Sequence, residues 1–152
     1  MISKDTTVDD KIEWEKSKKG GLIKDQIGSL KDIAKELSKG DKLVEELNIS
    51  GHGSSGGVSL SKSNPKNMNF NGEGITNPAN KSAVEAIKKQ LAKNAIITIY
   101  SCGAGKYKES LQKIADTLGV KVKAFTGGLS SGPGSSSDEG KWIIITPKNK
   151  EE

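Results

Sequence analysis

Arginine is absent from this chain: all 24 of its basic residues are lysines, set against 19 aspartates and glutamates for a net charge of +5. Sites built on a bidentate guanidinium fork for phosphate, guanine or carboxylate are thereby excluded. The lysines are dispersed, so mild non-specific attraction to anions is the most they imply, and no specific nucleic-acid partner is expected. Aromatic residues make up only 4% of the chain, so the core must be built mainly from Ile, Leu, Val and Ala. No apolar run approaches the ~18 residues of a bilayer span and no signal-peptide apolar region follows Met1; no membrane span is expected, and the chain reads as soluble. One cysteine forbids an internal disulfide, and one cysteine with one histidine cannot make a structural zinc site. Neither a metal nor a cofactor is implied.

What is present reads as a single domain, which at 152 residues can bury roughly 70% of the surface its unfolded chain exposes. Residues 1–20 form a polar N-terminal segment or linker, whose one alternating stretch, Lys11-Ile12-Glu13-Trp14-Glu15, reads as a weak edge strand. The domain proper spans 21–147, and 148–152 is a charged tail. Ile23, Ile27, Leu30, Ile33, Ala34 and Leu37, at spacings of three and four, predict a helix from Gly21 closed by Gly40. A strand follows from Leu43 to Ser50. Residues 54–80, rich in Ser, Gly and Asn, fit a hairpin or an open loop, with strand-like pieces at Val58-Ser59-Leu60 and Met68-Asn69-Phe70. A second helix carries Ala83, Val84, Ile87 and Leu91, with Asn80 as its N-cap and its end near Asn94. The nearly continuous apolar run Ala95 to Tyr100 reads as a strand buried on both sheet faces. A third helix bears Leu111, Ile114, Ala115 and Leu118 and stops at Gly119; strands at Val120–Phe125 and Trp142–Ile145 flank a Gly/Ser-rich flap, 127–140. Strands alternating with helices predict an α/β fold, a three-layer α/β/α sandwich around a mostly parallel sheet.

The sole histidine and sole cysteine occupy equivalent places in this pattern. Leu47-Asn48-Ile49-Ser50 runs into Gly51-His52-Gly53, and Ile96-Ile97-Thr98-Ile99-Tyr100 runs into Ser101-Cys102-Gly103. Parallel strands joined by right-handed crossovers present their carboxyl ends at one sheet edge, where ligands and catalytic groups of open α/β sheets gather. If the two strands are neighbours, ~4.8 Å apart, imidazole and thiol share a crevice. A free thiol has a pKa near 8.5, so a partner imidazole and the start of a following helix would help supply the thiolate. Gly53 and Gly103 leave backbone N–H groups unshielded, ready to hold an acyl-transfer oxyanion. A lone cysteine is often a small buried hydrophobe and a lone histidine a satisfied turn residue; two unique residues in equivalent turns weigh against that reading.

Competing motifs fail on their own terms. Gly53-Ser54-Ser55-Gly56-Gly57 matches G-x-S-x-G but precedes no helix, and the only histidine lies before the serine. Gly103-Ala104-Gly105-Lys106 lacks the Walker A spacing. A phosphatase loop would need arginine where Lys108 stands. The acidic pair Asp138-Glu139 in the flap reads as solvated.

Asn48-Ile49-Ser50-Gly51-His52-Gly53 and Ile99-Tyr100-Ser101-Cys102-Gly103-Ala104-Gly105 resemble the caspase-like (clan CD) cysteine peptidases, and the 50-residue separation is about that of the caspase pair. Ile114-Ala115-Asp116-Thr117-Leu118-Gly119-Val120 and Ala124-Phe125-Thr126-Gly127 are similar to small caspase-like domains at the C-termini of bacterial Rhs, adhesin-type and other polymorphic toxins. The resemblance covers about residues 43–147. It implies His52 as general base or acid, Cys102 as nucleophile, and the N–H groups of Gly53 and Cys102 as oxyanion donors. It further implies substrate-binding roles for Ser101, Gly103, Thr126 and Gly127. Caspase-type aspartate specificity is not expected without arginine. The expected activity is cysteine-peptidase hydrolysis of a protein or peptide, by a domain secreted or delivered into a target cell and countered by a cognate immunity protein. The alternatives are another toxin chemistry on the same scaffold (nuclease or transferase), an autoprocessing domain, and a non-catalytic binding module.

Overall fold

A computed structural model describes residues 1–4, 27–128 and 140–148. The sheet has four strands in sequence order: β1 (Val44–Ser50), β2 (Leu91–Tyr100), β3 (Lys121–Phe125) and β4 (Trp142–Ile145). β1, β2 and β3 run parallel, and β4 returns antiparallel along β3. Among the described residues the helices are α1 (Leu30–Leu37), α2 (Gly72–Thr76), α3 (Lys81–Gln90) and α4 (Lys108–Leu118). The α/β class and the mostly parallel sheet are as the alternation of patterns predicts.

Register explains the core. Leu47 stands beside Ile97, Val122 and Ile145, and Ile49 beside Ile99, Ala124 and Ile143, so one sheet face is apolar across all four strands. The apolar faces of α1, α3 and α4 complete this core through Ile33, Ile87, Leu111 and Ile114, each fully buried. α1 packs on α3, α3 on α4, and α2 on α4. The opposite face is mixed, with Asn48, Thr98, Lys123 and Ile144 in one row.

Several boundaries differ from the pattern for identifiable reasons. α1 begins at Leu30 rather than Gly21, because Ser29 caps it by accepting from Asp32 N–H at 3.1 Å while Asp32 accepts from Gly28 N–H at 3.0 Å. Ile27, which fits the helical spacing, instead bridges Ser3. Residues 21–26, like 5–20, lie outside the described residues. Met1–Ser3 do not stand apart as a linker: Ile2 is fully buried and bridges Ser50 at the sheet edge. Asn80 does not cap α3; its amide donates to Asn67 O and Gly74 O at 3.1 and 2.8 Å, while Asn77 caps the preceding 3-10 turn. β2 begins at Leu91, directly after α3, four residues before the expected start.

The region 54–80 is the largest departure. Val58 bridges both Gly53 and Phe70, and α2 follows where a loop was expected. Two glycines and a β-branched pair give Gly72–Thr76 poor helix propensity. Asn71 overrides it by capping, its Oδ1 accepting from Gly74 N–H at 2.7 Å, and Ser110 Oγ accepts from Gly72 N–H at 2.7 Å. Of the flap, residues 129–139, with the Asp138-Glu139 pair, lie outside the described residues. Its two ends meet: Thr126 N–H donates to Lys141 O at 3.0 Å.

Candidate active site

The parallel register carries the two singular residues to the same level. Ser50 is paired with Tyr100, and Gly51 N–H still donates to Tyr100 O at 3.2 Å, so the ladder extends past the end of β1. His52 and Cys102 each lie two residues beyond the paired ends. Both are exposed at the carboxyl edge of the parallel strands. The approach continues at Gly53, where a Cβ would stand 2.8 Å from Cys102 O, closer than side-chain carbons come. Glycine is therefore required there for the two turns to touch. Gly53 N–H makes no hydrogen bond among the described residues.

The four residues expected to bind substrate gather at this edge, with their polar groups turned to fastening. Ser101 is 1% exposed and its hydroxyl donates to Gly57 O at 2.7 Å. Gly103 N–H donates to Gly127 O at 2.9 Å, and Gly127 is buried. Thr126, half-buried, accepts from Lys141 N–H through Oγ1 at 2.9 Å. Ser101 thus faces inward rather than toward a ligand. Gly103 and Gly127 tie the cysteine turn to the end of β3.

Pattern reading passed over the asparagines that hold the histidine turn. Asn71, fully buried, donates through Nδ2 to Ser54 O and Oγ, both at 3.2 Å, and to Lys66 O at 3.0 Å. Asn69, 3% exposed, accepts from Leu60 N–H at 2.9 Å. The signal was the density of Asn between 64 and 80, read there as part of a hairpin or an open loop.

Three of the six aromatic residues stand at the same end of the sheet: Trp142 lies 5.6 Å from Tyr100 edge-on and 5.2 Å from Phe125. Burial, and then the charge of Glu46, raise the Tyr100 phenol above its ordinary value. Beside the turns, a cavity of about 510 Å³ is lined by Ser55, Glu73, Lys106, Lys108, Glu109 and Lys113. A larger groove of about 960 Å³ runs between α1 and α3; neither His52 nor Cys102 lines it. Among the described residues no group of three or more His, Cys, Asp or Glu is placed to hold a metal ion, and no helix is long and apolar enough to cross a membrane.

Fold and site together define an α/β domain with a histidine–cysteine pair at the carboxyl edge of adjacent parallel strands. The chain belongs to the family described as Domain of unknown function (DUF4347), which matches residues 10–147. No curated protein and no solved structure matches it.

Proposed function

We propose that this domain is a cysteine peptidase working through a Cys102–His52 pair. The observation that carries the reading is the register: Ser50 beside Tyr100 sets the only imidazole and the only thiol at one level on neighbouring strands, with Gly53 against the Cys102 backbone. In the proposed step the Cys102 thiolate attacks an amide carbonyl carbon, forming the C–S bond. Gly53 N–H, which has no partner among the described residues, and the Cys102 N–H implied by the family resemblance receive the oxyanion. The protonated His52 gives its proton to the departing amine as the C–N bond breaks. His52 then takes a proton from water, which attacks the thioester, releases the carboxylic acid and returns the thiol.

The same reading extends to a three-layer caspase-like sandwich. Thr98 is 6% exposed and Asn48 Oδ1 is buried on the face opposite Ile97 and Ile99, which supports a second covering layer over that part of the sheet. The resemblance to polymorphic-toxin domains supports a delivered toxin or effector. The test is expression of wild type, Cys102→Ala and His52→Ala in bacterial cells, alongside hydrolysis of a fluorescent casein. Wild type is expected to be toxic and to hydrolyse, with both variants at least about 100-fold weaker. A Cys102→Ala variant as active as wild type would refute the proposal.

A further inference from the structure

We infer that Ser101 is a positioning residue that clasps the histidine turn to the cysteine turn. Its side chain lies next to Cys102 in sequence yet points away from solvent, 1% exposed, and donates to Gly57 O at 2.7 Å across 44 residues of chain. Gly57 is the closing residue of the histidine turn. Its carbonyl also accepts from Ser54 N–H at 3.1 Å, and Ser59 N–H donates to His52 O at 2.8 Å, so 52–59 forms one small bridged unit. That unit is backed by Phe70, which exchanges backbone bonds with Val58 at 2.8 and 3.1 Å and packs so closely that a Cβ at Gly57 would lie 1.9 Å from Phe70 O. The Ser101 hydroxyl therefore fixes the unit against the residue that immediately precedes the thiol.

A buried serine without a partner would be costly, and the partner here is a carbonyl of the opposing turn. Remove the hydroxyl, and Gly57 O keeps only its bond within the turn. The nearest backbone bond between the two segments is then that of Gly51 N–H to Tyr100 O at 3.2 Å, at the base of the histidine turn. The effect of the clasp on chemistry rests on the Cys102–His52 reading; the clasp itself does not.

The experiment uses the whole chain as wild type, Ser101→Ala, Ser101→Thr, His52→Ala and Asn80→Ala. Asn80 is 7% exposed and bonds Asn67 O and Gly74 O, so its loss destabilises the 64–80 region without touching Ser101. Amide hydrogen exchange is read at Ser54, Ser59, Ile97 and Ile99. Ser101→Ala is expected to speed exchange at Ser54 and Ser59 about tenfold while Ile97 and Ile99 stay within about twofold of wild type. Asn80→Ala is expected to leave the ratio between the two pairs unchanged. Uniform acceleration at all four amides in Ser101→Ala, or none at Ser54 and Ser59, would overturn the clasp.

The second readout is the pH profile of Cys102 alkylation by iodoacetamide. Ser101→Ala is expected to slow the reaction at pH 7 about fivefold and to move the profile toward that of His52→Ala. Ser101→Thr, which keeps the hydroxyl, is expected to restore it. A wild-type profile that His52→Ala leaves unmoved would sink the peptidase reading alone, while the exchange ratio still decides the clasp.

Discussion

Replacing Asn71 by alanine tests whether the region 54–80 is a structured buttress. The amide makes four bonds: three from Nδ2, to Ser54 O, Ser54 Oγ and Lys66 O, and one accepted by Oδ1 from Gly74 N–H. Losing the cap of α2 costs about 1 kcal/mol. Leaving Ser54 O and Lys66 O short of a donor in a part-buried setting adds about 1 kcal/mol each, about 2 kcal/mol together. The sum, about 3 kcal/mol, is a large share of the 5–15 kcal/mol typical of a domain. Urea unfolding followed by circular dichroism reads it directly. With a slope of about 2 kcal/mol per molar, the midpoint should fall by about 1.5 M at unchanged slope. A loss below about 1 kcal/mol would mean that water replaces Asn71 and that the buttress is loose.

Further perturbations probe neighbouring features. Gly53→Ala places a carbon 2.8 Å from Cys102 O; the turns must separate, and iodoacetamide labelling at pH 7 should slow about tenfold while thermal stability, the site being exposed, changes little. Asp116 is held below the usual carboxylate range, first by the backbone N–H of Lys148, which outweighs an opposing burial effect, and then by Gln112 and the Lys148 charge. Its contribution is complete above the ordinary value of about 3.9 and is lost as pH falls through the lowered one. The stability gap between wild type and Asp116→Asn should therefore be present at pH 6 and close under acid. Tyr100 should titrate above the ordinary phenol value of about 10 in ultraviolet absorbance, and Glu46→Gln should lower it. An unchanged midpoint would deny the Glu46 contribution.

The sequence carried the central strands, α4 and the level shared by His52 and Cys102, because these rest on periodicity and on strand ends. Ala95–Tyr100 is apolar without a break, and Gly119 stops α4 with φ of 69°. Less legible was whatever depends on distant partners. Ile27 fits a helical stripe but serves a bridge to Ser3. Gly72–Thr76 is helical only because Asn71 and Ser110 receive its first N–H groups. Asn80 looks like a cap but answers two buried carbonyls. Ser101 was expected at the ligand surface from the family resemblance, yet its hydroxyl turns inward to Gly57 O. A resemblance in sequence says which residues share a turn, while the side a turn residue faces is set by a distant partner, here Gly57 O.

The pairing of Ser50 with Tyr100 also sets when the site exists. Imidazole and thiol are brought level by hydrogen bonds between chain segments about fifty residues apart, and such non-local pairings form late, after the cost of closing the intervening loop. During synthesis the histidine is made well before β2 can reach it. Until β1 and β2 join, His52 and Cys102 are held together by nothing but the open chain between them. Assembly of the sheet thus acts as a timer: the shared level of His52 and Cys102 arises only with cooperative folding, and vanishes whenever the strands part.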